Sequence, residues 1–332
     1  LTDYIENGRT GILVGSESIK DLADNIGKLL KNSSELSKIS KAALEFAQRN
    51  FTYRVYDMRI GKVIKSFIKV WKLPQVQRKI SPMLTICSPQ LGISAETSSG
   101  GEVYDREILV RLAKLGAEIE ILLPKGRDYP EKIKNFTITF APIKSIFPPY
   151  IFNFFVLPYL FKTYKNQPFQ ILRIHSPYFV GPAAVIFKFF NPKVKLVVSY
   201  LHLESNNLIF ELINRLIIKK IDLIVTISLA TKREIIKKYG VTSAKILVTY
   251  PGVNNKFRPE PKYKTLLKKF QLENKFVLFF LAGLKFRKNP DFLLEVLEKI
   301  KDQKIVLVFA GSGQAEPFLK LKAKVLGLSK QV

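Results

Sequence analysis

Four short stretches of this 332-residue chain put chemically useful groups in the segments that follow strand-like apolar runs. Ser98-Ser-Gly-Gly101 precedes a helical pattern. Two glycines let a backbone come close to a ligand, and the helix that follows offers free N–H groups and the positive end of its dipole, which suits a phosphate. Ser199-Tyr-Leu-His202 follows a second run, and a histidine there can donate to a sugar hydroxyl or a phosphate. Ala282-Gly-Leu-Lys-Phe-Arg-Lys288-Asn-Pro290 sets Arg287 and Lys288 just before a helix whose expected entry is Asn289-Pro290. Two cations beside a helix N-terminus would hold a diphosphate. Ala310-Gly-Ser-Gly313 is another glycine loop opening a helix. Each stretch has a plainer reading: Gly-Gly is a common turn, a lone His is more often structural, and Arg-Lys is as often a solvated charge pair. There is no Walker loop, no complete Gly-x-Gly-x-x-Gly after a strand, no metal-ligand cluster and no convincing Ser/His/Asp order.

Such loops need a scaffold that delivers strand ends side by side. Strands are predicted at 83–87, 118–123, 136–140, 170–174, 195–200, 222–226 and 246–248, with helices at 102–115, 207–220 and 230–239 among those between them. Alternation of this kind means a parallel, doubly wound sheet. The run at 246–248 breaks at Pro251-Gly252, and the α/β pattern then restarts with strands at 276–281 and 304–309 and helices at 291–300 and 316–326. Ahead of all this, Glu6-Asn-Gly-Arg-Thr-Gly11 reads as a turn and 12–14 as a short strand. Ser18 with Asp21 resembles a capping box, opening a helix that turns Ile19, Leu22, Ala23, Ile26, Leu29 and Leu30 inward. A second helix carries Leu36, Ile39, Ala43, Phe46 and Ala47 on one face, and a third, basic helix runs from 52 to about 71. One strand cannot build a sheet, so residues 1–72 are expected to dock on the strands at 276–281 and 304–309. Residues 73–82, with two prolines, read as a linker.

The net charge of +27 favours a polyanion or an acidic membrane surface as partner. Basic residues are spread along the chain and no nucleic-acid motif occurs, which argues against nucleic acid; a lysine-rich coding habit is the bland alternative. The apolar stretch 146–161 is interrupted by Pro148, Pro149 and Pro158 and is shorter than the ~20 residues of a membrane span. It reads first as a buried helix between strands, and second as an aromatic patch dipping into a membrane between Lys144, Lys162 and Lys165. A single cysteine, Cys87, fits a reducing compartment. The chain opens on Leu1 without a signal-peptide pattern and stops at Val332 without a closing element, so it reads as a piece of something longer.

In order and spacing these motifs resemble the retaining glycosyltransferases of family 4. The resemblance covers the Gly-Gly loop before a helix ending Leu-Ala-Lys-Leu-Gly116, His202, Asp222-Leu-Ile-Val-Thr-Ile-Ser228, Pro251-Gly-Val-Asn-Asn-Lys-Phe-Arg-Pro259, Arg287-Lys-Asn-Pro290 and Ala310-Gly-Ser-Gly313. Residues 1–72 resemble the carboxyl-terminal end of the same family, through Glu6-Asn-Gly-Arg-Thr-Gly-Ile-Leu-Val14 and Phe51-Thr-Tyr53 before a last helix. The chain thus runs tail, then head, with a junction near Met83.

The resemblance implies an α/β protein of the GT-B fold, two Rossmann-like doubly wound parallel-sheet domains facing across a cleft. Residues 1–72 would be the tail of a nucleotide-sugar domain, 83–255 the acceptor-side domain and 256–332 the first part of an incomplete second domain. It implies retaining transfer of a sugar from a nucleotide-diphosphate sugar to a glycan or lipid-linked acceptor, without a required metal or cofactor. The expected place is the cytoplasm, with peripheral attachment to the inner face of the cell membrane. Gly100, Gly101, Arg287 and Lys288 would hold the donor diphosphate, Gly311, Ser312 and Gly313 would form the nucleotide-sugar loop, and His202 would be the catalytic residue near the sugar. Several places depart from the family. Its Gly-Arg falls at Ala282 and Gly283, with Arg287 as a stand-in for the missing Arg; its Asp after Gly-Val is Asn254; its Glu after Gly-Gly falls at Val103, beside Glu102. The paired glutamates for donor sugar and ribose are absent, so this chain alone is expected to transfer no sugar. A sugar epimerase of the same fold and a non-catalytic, basic membrane- or polyanion-binding protein are the alternatives.

Overall fold

The computed structural model describes residues 3–15, 18–70, 84–90, 100–125, 133–144, 151–175, 177–203 and 208–332. The chain divides into two units, Arg49–Asn254 and Leu1–Gln48 together with Asn255–Val332.

The first unit is built on seven strands: β1 (Thr85–Pro89), β2 (Glu118–Lys125), β3 (Phe136–Lys144), β4 (Ile171–Ile174), β5 (Lys195–Tyr200), β6 (Leu223–Thr226) and β7 (Ile246–Val248). All pair in parallel, in the order β3-β2-β1-β4-β5-β6-β7. β1 and β4 are buried along their whole length, because helices cover both faces of a parallel sheet and the strands must then be apolar runs. Alternate side chains feed opposite cores. Ile119, Ile121 and Leu123 of β2 pack with Ile108, Leu109 and Leu112 of helix α4 (Gly100–Lys114), whereas Leu122 joins Phe152, Leu172, Phe187 and Val198 on the far side. That far side is covered by α5 (Phe152–Asn166) and α6 (Pro177–Phe190), so the favoured reading of the apolar stretch as a helix between strands describes its residues 152–161; 146–150 lie outside the described residues. Leu115, the last residue of the helix expected at 102–115, is exposed, since α4 stops one residue before it.

The amino-terminal segment does not dock as one piece. Helices α1 (Ile19–Lys31) and α2 (Ser33–Asn50) precede α3 (Tyr53–Val70), which joins the seven-stranded unit. The Val253 N–H donates to the Phe51 carbonyl at 2.6 Å, and the Tyr53 N–H to the Val253 carbonyl at 3.3 Å. Arg111 of α4 reaches both carboxylate oxygens of Asp57, at 3.0 and 2.8 Å, and its guanidinium stacks over the Tyr53 ring. Tyr56 and Ile60 are buried against α4. The expectation that 1–72 would pack wholly on the later strands therefore fails for α3, whose apolar and ion-pairing groups match α4.

In the second unit, α1 packs on α10 (Phe292–Ile300) and sends Leu30 into a core with Leu294, Leu297, Leu307 and Leu319. The Ser18 hydroxyl caps α1 by accepting the Asp21 N–H at 3.2 Å. β8 (Phe276–Leu281) and β9 (Ile305–Ala310) pair in parallel, with α9 (Lys264–Lys269) before them and α11 (Glu316–Val325) after. Residues 12–14 are not a strand: the Leu13 N–H turns to the Asn7 side chain at 2.8 Å instead of to a ladder. α2 buries none of its residues completely, so its expected apolar face stays half-covered. The proposed linker 73–82 lies outside the described residues.

Candidate functional site

In the seven-stranded sheet, β2 and β3 lie to one side of β1 and β4 to β7 to the other. The strand order therefore reverses between β1 and β4, and the crevice at the carboxyl ends of strands at such a point is where open parallel sheets bind ligands. α4 starts in that crevice. It begins at Gly100, two residues earlier than its pattern suggested, so both glycines sit in the first turn, where N–H groups lack partners within the helix. Gly100 is exposed with open space around it. A Cβ at Gly101 would lie 3.4 Å from His175 Nε2 and 3.5 Å from Leu201 Cδ1, so the ends of β4 and β5 converge on this turn. His202 is the next residue along and is exposed. Ser98 and Ser99 lie outside the described residues.

Beneath the turn is a buried charge network. Ser88 of β1, Arg173 of β4 and Ser199 of β5 all point to the α4 face, and Asp105 of α4 meets them. Asp105 and Arg173 form an ion pair, both nearly inaccessible. The Arg173 guanidinium also donates to Ser88 Oγ at 3.4 Å and to Ser199 Oγ at 3.3 Å. Burial opposes the charge on Asp105, but Arg173 and His175 outweigh it and hold the carboxyl well below the usual carboxylate range. Burial likewise opposes the charge on Arg173, and Asp105 reverses this and raises the guanidinium further. His175 Nδ1 lies 3.2 Å from Asp105 Oδ1. The other ring nitrogen, Nε2, faces the Gly101 turn.

A cavity of about 190 Å³ adjoins Gly100, lined by Tyr53 and Tyr56 of α3, Tyr104, Glu107 and Arg111 of α4, and Gly252. It is smaller than the roughly 300 Å³ that small-molecule sites start from. Burial pushes the Tyr56 and Tyr104 hydroxyls up, so both remain neutral phenols.

The second unit carries the remaining expected residues. Its two strand-end loops are tied together: the Leu284 N–H donates to the Ser312 carbonyl at 2.9 Å and the Ala315 N–H to the Leu284 carbonyl at 3.0 Å. Gly311 has φ +150° and a Cβ there would lie 2.0 Å from the Ala282 carbonyl oxygen; at Gly313 the distance to the Leu284 oxygen would be 2.4 Å. The close approach of the loops accounts for both glycines, and Ser312 is left exposed between them. Arg287 and Lys288 lie together on a single 3-10 turn, Phe286–Lys288, with exposed side chains. Asn289 closes that turn at φ 49°, and α10 starts only at Phe292. The expected helix entry at Asn289-Pro290 is thus displaced, because Asn takes the left-handed conformation that ends the turn. Among the described residues none forms an ion pair with Arg287 or Lys288. Gly283 has no atom nearer than 3.9 Å to an added Cβ. Among the described residues no group of His, Cys, Asp and Glu is placed to hold a metal ion.

Asp105, Arg173 and His175 escaped the sequence reading. His175 directly follows a strand run, as His202 nearly does, and Asp105 shares the inward stripe of Ile108 and Leu112; those were the available signals.

Comparison with known proteins agrees with this architecture. Residues 98–257 match the model of Glycosyltransferase Family 4, and residues 263–332 match Glycosyl transferases group 1. HepE of Anabaena, solved in complex with UDP, is similar in structure at 14% identity and a TM-score of 0.56, over 75% of this chain and 68% of that one. A glycosyltransferase from Rickettsia africae is similar at 18% identity and a TM-score of 0.57, over 76% and 67%. The lipopolysaccharide outer core galactosyltransferase WaaB, in its apo form, is similar at 16% identity and 0.54, over 75% and 67%. No curated protein sequence matches the chain. The fold is that of GT-B glycosyltransferases, with the second domain partly covered. The chain is a family 4-like glycosyltransferase.

Proposed function

We propose that the chain serves in retaining transfer of a sugar from a nucleotide-diphosphate donor to a glycan or lipid-linked acceptor. The observation that carries this is the first turn of α4, with Gly100 open and Gly101 close against His175 and Leu201, set at the switch point of the sheet. HepE, solved in complex with UDP and with UDP and glucose, supports the donor class.

When the bond between the anomeric carbon and the diphosphate breaks, negative charge gathers on the departing oxygen. Preorganised N–H dipoles and cations in a partly dry site lower that barrier because they bind the charge more strongly as it forms. The free N–H groups of α4 supply the dipoles, and Lys288, helped by Arg287, supplies the positive charge. His202 is assigned to the sugar, and Gly311, Ser312 and Gly313 to the nucleotide side, with Ser312 as the exposed polar group of that loop. This chemistry asks for no resident metal or cofactor. We assign the enzyme to the cytoplasm, at the inner membrane face where the acceptor is lipid-linked.

The test is a panel of nucleotide-diphosphate sugars offered to the complete protein, with released nucleotide and modified donor both measured. Nucleotide release with transfer is expected. Conversion of the donor without nucleotide release would mean an epimerase, and a folded protein inert to every donor would leave only a binding role.

A further inference from the structure

The two ring nitrogens of His175 face different surroundings. Nδ1 lies 3.2 Å from Asp105 Oδ1, at the edge of the buried charge network, and the side chain is only 20% exposed. Nε2 turns toward the first turn of α4, where a Cβ on Gly101 would stand 3.4 Å from it. Among the described residues none forms a hydrogen bond with Nε2. Packing alone asks for no nitrogen there, since Leu201 covers the same turn with a methyl group at 3.5 Å.

The groups beneath the ring hold it in place. Burying the Asp105–Arg173 pair gains little for the fold by itself, because both charges leave water. Its geometric effect is to fix a carboxylate oxygen under Nδ1, while Ser88 and Ser199 in turn accept from Arg173 at 3.4 and 3.3 Å. Arg173 also cancels the Asp105 charge, so the pair does not repel an arriving anion. An imidazolium carries an N–H on each nitrogen. One held at Nδ1 by a carboxylate can donate from Nε2 to a phosphate oxygen and bring a positive charge to it.

We propose that His175 is a further contact for the donor diphosphate, made through Nε2, and that Asp105, fixed by Arg173, positions its ring. This rests on the donor reading of the α4 turn and adds to it a residue that carried no role there. The chain has two histidines, so NMR can follow each ring signal, with His202→Gln to tell them apart. The probe is inorganic pyrophosphate added to the full chain. The His175 ring and the Gly101 amide should shift together and saturate at one concentration. His175→Ala should weaken binding about tenfold or more, as loss of a charge-assisted hydrogen bond does. His175→Gln, whose amide nitrogen reaches the Nε2 position, should restore most of that loss. His175→Asn, which reaches only the Nδ1 position, should not. Asp105→Leu with Arg173→Met, measured below its own melting transition, should weaken pyrophosphate binding while His175 is still present. A shift at Gly101 without one at His175, with His175→Ala binding like wild type, would overturn the inference and leave the donor reading in place. If neither signal moves, both fall. Equal rescue by Asn and Gln would overturn the Nε2 contact and leave His175 a structural residue. Unchanged binding in the double variant would remove Asp105 from its positioning role.

Discussion

The two units handle charge in opposite ways. In the seven-stranded unit, Asp105 and Arg173 are buried and spend their charge on each other, on two serines and on His175. In the other unit, Arg287 and Lys288 stand exposed on a short turn, and no described residue forms an ion pair with either. A buried pair fixes geometry, because either partner left alone in the interior is costly. An exposed cation contributes little to the fold and becomes valuable when a phosphate arrives. Substitutions in the first region should therefore be read in stability, and in the second in rate.

The largest effect is expected from Asp105→Asn. It strands Arg173 without a counter-charge and should cost about 3–5 kcal/mol in urea unfolding, a large share of the 5–15 kcal/mol typical of a domain. Pairing Asp105→Leu with Arg173→Met should recover much of that loss; a double variant no better than the single one would show that the pair is not the organising contact. The same network predicts acid lability. The Asp105 carboxyl is lowered in the folded state, so its contribution is complete above the unfolded carboxylate value near about 4 and drains away as pH falls below it. Asp105→Asn should flatten that part of the stability-against-pH curve.

Next comes Gly311→Ala, where the new Cβ would fall 2.0 Å from the Ala282 carbonyl oxygen. Overpacking against backbone should cost about 1–3 kcal/mol or more, measured by thermal melting. A wild-type melting curve would mean that the loops after β8 and β9 are not locked as described.

Lys288→Ala should leave melting unchanged and lower the donor-dependent rate of the complete enzyme about tenfold to a hundredfold, as loss of a charge-assisted phosphate contact does. Gly283→Arg, which enters open space, should leave the rate unchanged or raise it. Wild-type kinetics in a well-folded Lys288→Ala protein would reduce Arg287 and Lys288 to a solvated pair.

The strands were legible because a parallel sheet covered on both faces needs continuous apolar runs, and these are punctuated by Gly, Pro and charge. β5, β7 and β8 match their expected bounds, and the others lie within a few residues. The glycine turn that opens α4 was legible from the Gly-Gly pair ahead of a helical pattern. What sequence could not show was pairing set by strand order. Asp105 meets Arg173 and His175 only because β4, late in the chain, lies next to β1. Charged residues also read as surface until a partner of opposite sign is placed opposite them. The split of the amino-terminal segment was hidden likewise, since α3 reveals its preference only when Asp57 faces Arg111 and Tyr53 faces Glu107.

The smallest effect on the fold, and the most informative, is expected from Gly101→Ala. Its Cβ would meet His175 Nε2 at 3.4 Å and Leu201 Cδ1 at 3.5 Å, close but ordinary contacts. Alanine also favours a helix over glycine by roughly 0.5–1 kcal/mol, which offsets any local adjustment. Stability should therefore change by no more than about 0.5 kcal/mol either way. Yet the methyl group would occupy the approach between the α4 N–H groups, His175 and the β5 loop, where the proposed donor phosphate would come within hydrogen-bond reach. The donor-dependent rate should fall about tenfold or more through weakened transition-state contact, while melting stays put. Gly311→Ala should do the reverse in kind, acting through the fold. If Gly101→Ala leaves donor kinetics untouched, the turn is no more than a convenient helix start, and the donor must be held elsewhere.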